Sequence, residues 1–127
     1  MDKILAEISA GELIDKITIL EIKKEKINDD QKLIDINKEL ISLNSTMKEF
    51  IPDLNKVSNL KNDLKNINLK LWDIEDSKRN AEKNKKFDEE FIQLARNVYK
   101  FNDERAKIKL SINIILESNI KEVKSYK

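Results

Sequence analysis

The chain has no cysteine and no histidine. The first absence removes structural disulfides and thiolate sites. The second removes the commonest zinc ligand and the usual general base at neutral pH. A transition-metal centre and a Ser/His catalytic arrangement are therefore excluded, and any chemistry must come from carboxylates, lysines, tyrosines and hydroxyls. No cofactor is expected. One glycine and one proline in 127 residues leave almost no turn punctuation, which favours long helices over sheets. No apolar run approaches membrane-spanning length, and the early "ILAEISAGELI" is too short and too acidic for a signal peptide.

An excess of charge of one sign is missing too. Lysine and arginine number 25 against 24 acidic residues, for a formal net charge of +1. The lysines are interleaved with Asp and Glu, as on a solvated surface, and no concentrated basic face offers itself to nucleic acid. The expectation is one soluble, cytoplasmic domain, long enough for its own core. The composition leans to Lys, Asn and Ile, as an AT-rich genome produces. Against that background the three arginines, Arg79, Arg96 and Arg105, all lie in the second half. Lysine serves solubility equally well, so a retained guanidinium points to a place that wants a planar, multi-donor fork.

What is present is helical periodicity, and the expected fold class is all-α, an antiparallel bundle of about four helices. "SAGE" offers a capping box in which Ser9 caps the amide of Glu12 and Glu12 reaches back, so helix 1 should run over 10–28. "NDD" at 28–30 ends it and caps helix 2, over 31–51, whose Leu33, Ile36, Leu40, Leu43, Met47 and Phe50 alternate three and four. Pro52 stops that helix and Asp53 caps helix 3, over 54–84, with a matching seam of Val57, Leu60, Leu64, Ile67, Leu71 and Ile74. Two such seams joined by a short turn are expected to fold back as a coiled-coil-like hairpin. Helix 3, at about 46 Å, overhangs helix 2, at about 33 Å, and takes helix 4, over 88–119, as a further partner. The tail "IKEVKSYK" has no clear period and is expected to fray or to pair with residues 1–8. Helix 1 is apolar on two sides: Leu13, Ile17, Leu20 and Ile27 share one face, with Ile19 and Ile22 nearly opposite. It is expected either at the centre of the bundle or at the interface of a homodimer.

The stretch "VYKFNDERAKIKLSIN" (98–113) breaks the apolar stripe of helix 4. Asn102, Arg105, Lys109 and Asn113 all fall within about 40° of Phe91 on the helical wheel. Burying a bare cation costs several kcal/mol, so these groups need company. If helices 3 and 4 form a hairpin, paired positions sum to about 172, which sets Asp76 beside Arg96 and Leu71 beside Phe101 and Asn102. Arg105 then faces Ile67 with no carboxylate across, and Glu12, Asp15 and Glu21 of helix 1 become the expected counter-charges. Three readings follow: an internal ion-pair network that fixes how helix 1 docks, a recessed anion site, or side chains in water. Trp72, on a flank shared with Glu75, Arg79 and Glu82, either seals the bundle edge under helix 1 or walls a pocket beside carboxylates. Asn102, Arg105, Lys109, Arg96, Trp72 and Arg79 are the candidate ligand-binding residues.

An enzymatic alternative survives the composition filter. All-α nucleotide pyrophosphohydrolases hold Mg²⁺ with carboxylates on facing helices. Glu12 and Asp15 in "GELID", and Asp73 and Asp76 in "LWDIED", are each three apart. The E-x-x-E pair such enzymes carry occurs nowhere in this chain, and the order of the pairs does not fit. The preferred reading is a non-catalytic protein-interaction or scaffolding module, with a homodimer, a protein partner or a small anionic ligand as its company.

The blocks "SAGELIDKITILEIKKEKI" (9–27), "LKLWDIEDSKRNAE" (69–82), "FIQLARNVYKFNDERAKIKLSIN" (91–113) and "EVKSY" (122–126) resemble a family of short bacterial and phage proteins. That family is classed only as a domain of unknown function. The resemblance implies a small, mostly helical protein with no assigned activity or cofactor. Trp72, Glu75, Arg79, Arg96, Asn102 and Arg105 all lie inside these blocks, whereas residues 29–68 match nothing distinctive.

Overall fold

The computed structural model describes residues 1–126. Four α-helices follow a segment without regular structure: α1 (Ala10–Lys26), α2 (Asp30–Phe50), α3 (Ser58–Lys83) and α4 (Glu89–Ile115), with a 3₁₀ turn at Asn55–Val57 ahead of α3. No helix among the described residues is long and apolar enough to cross a membrane. The boundaries have local causes. Ser9 Oγ accepts from the Glu12 amide at 3.0 Å, and Asp29 accepts from the amides of Gln31 and Lys32. Asp88 accepts from Phe91. Asp53 accepts from the Asn55 amide at the start of the 3₁₀ turn and does not cap α3, which starts later than periodicity suggests.

Two helix ends use a residue in the left-handed region without glycine. Lys85 (φ 52) and Glu117 (φ 53) each follow a C-cap residue. Behind them the amides of Lys86 and Ser118 donate to the carbonyls of Ala81 and Asn113, the six-to-one bond of a Schellman end. The second of these closes α4 at Ile115, four residues before the expected end, and reverses the chain.

The packing order departs from the expected one. α1 and α2 form one hairpin, α3 and α4 another, and α1 touches all three other helices. Among the described residues no Cα of α2 comes within 8 Å of one in α3, so the helix 2–helix 3 hairpin does not form. The reason lies in α1 and in the linker. Residues 51–57 make a longer connection than a tight turn, and α1 carries apolar side chains on two flanks. Leu13, Ile14, Ile17 and Leu20 of α1 join Ile36, Leu40 and Met47 of α2 to Leu64 of α3 and Ile112 of α4 in one core. The α2 seam packs on α1, except Phe50, which is exposed, and the α3 seam is shared between α1 and α4. On the opposite flank Ile22 is buried, whereas Ile19 is half-buried at the edge of a cleft.

α1 meets the α3–α4 hairpin only near its open end. Beyond Ile74 and before Ile112 no residue of that hairpin is fully buried, and its far half, roughly 77–100, projects as a two-helix arm. Lys70 Nζ stands 5.2 Å from the centre of the Phe101 ring, in keeping with an antiparallel register summing close to 172.

Candidate functional site

Where α1 crosses α4 the backbones nearly touch. Gly11, the only glycine, makes this possible: a Cβ there would stand 2.5 Å from the Lys109 carbonyl oxygen and 3.0 Å from Asn113 Oδ1. The first turn of α1 would otherwise leave amides without partners. They are met from three directions. Ala10 donates to Ser118 Oγ at 3.1 Å, Gly11 to the buried Asn113 Oδ1 at 2.6 Å, and Glu12 to Ser9 Oγ. Asn113 thus belongs to the polar face of helix 4 because it caps another helix.

One turn further on lies the polar centre. The Asp15 side chain is 0% exposed. Its carboxylate accepts from Arg105 Nε at 3.0 Å and from Asn68 Nδ2 at 2.9 Å, and it closes a two-pronged pair with Arg105 Nη2. Asn68 also donates to Thr18 Oγ1, which in turn donates to the Asp15 carbonyl. Lys109 Nζ bonds Glu12, lies 3.8 Å from Asp15, and reaches Glu122 at 3.1 Å. Glu122 also accepts from Ser9 Oγ at 2.8 Å. Three carboxylates therefore surround two cations.

These pairings push Arg105, Lys109 and Glu122 away from neutrality. The hydrogen bond to Asp15 holds the Arg105 guanidinium above its ordinary value, against burial. Burial pulls Lys109 down, but its bonds to Glu12 and Glu122 and the charge of Asp15 carry it above the usual lysine range. Burial pushes Glu122 up, and the bonds from Ser9 and Lys109 more than reverse it, leaving the carboxyl below its usual value.

The expected counter-charges from helix 1 are present in Glu12 and Asp15, while Glu21 lies near Lys61 and Lys65 instead. Glu12 does not complete the capping box, because its carboxylate is committed to Lys109 and Lys16. Of the candidate ligand-binding residues, Trp72, Arg79, Asn102 and Arg105 line one cleft of about 490 Å³, with Ile19, Ile22, Asn68, Leu71, Glu75 and Asp76. Lys109 lies instead on a neighbouring cleft that shares Asn102 and Arg105 with the first. Arg96 is exposed on the arm, away from both.

The carboxylate quartet of the enzymatic alternative is not assembled. Glu12 and Asp15 are held by Lys109 and Arg105, whereas Asp73 and Asp76 are exposed on α3. Among the described residues no group of three or more carboxylates is placed to hold a metal ion. Sequence reading missed Glu122 as a partner of Lys109, Ser9 as a partner of Glu122, and Asn68 and Thr18 as partners of Asp15. Asn68 sits in an asparagine-rich stretch where one more amide gives no contrast.

A family model described as "Family of unknown function (DUF6165)" matches residues 4–127, and the chain belongs to that family. No curated protein and no solved structure matches it.

Proposed function

We propose, for this member of a family without an assigned activity, a non-catalytic protein-interaction module that receives a partner polypeptide in the cleft beside Trp72. The observation carrying this reading is the composition of that cleft. Ile19, Leu71 and Trp72 offer an apolar wall, Asn102 offers an amide, and Arg105 is held in place by buried Asp15. Such a mixture suits a side chain inserted from a partner backbone. A general acid or base working near pH 7 needs a pKa moved toward neutrality, and the shifts here run the other way. An external anion on Arg105 would compete with the fully buried Asp15 carboxylate, so the Asp15–Arg105 pair is read as a docking lock for α1. A cytoplasmic setting and self-association belong to the same reading. Balanced, interleaved charge supports the former, and sedimentation equilibrium tests the latter.

Trp72 is the only tryptophan, so its emission reports on the cleft directly. Titration with acetylated hexapeptides, each carrying Leu or Phe among glutamates or glutamines, should shift or quench that emission. Leu71→Ser should weaken the response at least tenfold. A response to Mg²⁺ with nucleotides, and none to any peptide, would overturn the reading in favour of the hydrolase.

A further inference from the structure

Past the Schellman turn at Glu117 the chain runs back along α4 without regular structure. It touches the start of α1 and then α4 between Asp103 and Lys109. Ser118 meets the amide of Ala10, Glu122 meets Ser9 and Lys109, and Lys124 pairs with Asp103 at 2.7 Å. The Tyr126 ring lies 5.7 Å from Lys107 Nζ and 5.6 Å from Lys124 Nζ. Asn119 adds a bond to Glu7, so the tail also pairs with the N-terminal segment. This strap roofs the second cleft, about 690 Å³, lined on the helix side by Asn102, Arg105, Lys109 and Asn113.

The strap is attached by the wrong forces for a permanent element. Val123 is 97% exposed and Tyr126 more than half exposed, so Ile120 alone covers most of its apolar side chain and no residue of the strap joins the buried core. The ion pairs of Glu122 and Lys124 that help hold it are partly exposed on the strap side, and pairs of that kind contribute little each. Yet the donors Glu122 occupies, Ser9 Oγ and Lys109 Nζ, are fixed by the α1 cap and by Glu12. A rigid pair of donors therefore holds a loosely attached carboxylate.

The geometry points to the strap as a built-in competitor: Glu122 occupies a carboxylate subsite on Ser9 and Lys109 that an acidic segment of the partner takes over, releasing residues 118–126. The two clefts share Asn102 and Arg105, so a polypeptide seated beside Trp72 continues into the space the strap vacates. The identity of the displacing ligand rests on the Trp72 reading, whereas the exchangeability of Glu122 does not. Being tethered, the strap acts at a high effective concentration and keeps the subsite closed to weak ligands.

The test uses the full chain. A fluorescein-labelled peptide of residues 116–127 should bind the Glu122→Gln protein at least tenfold more tightly than wild type, whose own strap competes. The same peptide carrying Glu122→Gln should lose that binding. By hydrogen exchange, amides of 118–126 should exchange about tenfold faster in Glu122→Gln while those of α1 and α4 keep wild-type rates. The glutamate hexapeptides, and not their glutamine counterparts, should produce the same acceleration in wild type. Equal peptide binding by both proteins, or unchanged exchange of the strap in Glu122→Gln, overturns the proposal. If glutamine peptides shift Trp72 and glutamate peptides leave the strap closed, the acidic displacement fails and the cleft reading stands. If no peptide shifts Trp72 while the labelled strap still binds, the cleft reading fails alone.

Discussion

The crossing of α1 over the open end of the α3–α4 hairpin and the arm beyond it are built from the same two helices, yet they are held by different means. At the crossing, Leu64 and Ile112 are fully buried, Gly11 lets two backbones meet, and an interior carboxylate is matched by Arg105, Lys109 and Asn68. Along the arm the seam residues Phe91, Leu94, Val98 and Phe101 are only half-buried, and a T-shaped Phe87–Phe91 pair at 5.3 Å closes the tip. Two helices alone cannot exclude water from both sides of their seam. A third element crossing them can, and only there does the chain place polar groups that need exact company.

This contrast can be broken most severely at Asp15. Asp15→Ala leaves Arg105 and Lys109 short of their interior partner and should cost about 3–5 kcal/mol in urea unfolding, whereas Asp15→Ala with Arg105→Leu should recover much of it. Recovery distinguishes an unpaired charge from lost packing. Paired truncations come next. Leu64→Ala should cost about 2–5 kcal/mol and Leu94→Ala in the arm less than half as much, because a half-exposed side chain has less burial to lose. Equal losses would erase the distinction between crossing and arm.

Gly11→Ala should cost about 1–3 kcal/mol, since the added carbon meets backbone rather than a movable side chain. It should also lower helix 1 protection in hydrogen exchange. Smaller still is the acid limb. Glu122 has a folded pKa below its ordinary 4.5, so its contribution is present above that value and disappears as pH falls through the folded pKa. Strap protection should therefore be lost in mild acid before the helices unfold, and Glu122→Gln should abolish that step. Lys109 has the opposite sign: its contribution holds below 10.5 and is lost only as pH climbs through its raised folded value. The least effect is expected at the arm's tip, where Lys85→Gly relieves a positive φ and should raise stability by less than about 1 kcal/mol.

Much of this was legible before any coordinates. The caps at Ser9, Asp29 and Asp88, the stop at Pro52, and the α3–α4 register are local or nearly local signals, and they appear where periodicity puts them. Asn102, Arg105 and Lys109 declare themselves because polar groups on an apolar stripe must be answered. What answers them was only partly readable. Glu12 and Asp15 follow by elimination, but Glu122 comes from a tail with no period, and its role depends on a chain reversal at Glu117 that no glycine marks. The expected hairpin of helices 2 and 3 failed for a similar reason: two matched seams say that each needs a cover and do not say which helix supplies it.

The sequence alone determined the class of protein, a nearly turn-free helical chain without thiol or imidazole chemistry, because composition and period act within one element at a time. Which helix lies between which, and which carboxylate meets which cation, was decided only in three dimensions. Gly11 admits α4 against α1, α1 separates two seams that would otherwise pair, and a weakly held strap then brings Glu122 to Lys109. Those outcomes depend on the relative fit of competing surfaces, a difference between long-range contacts that no single segment encodes.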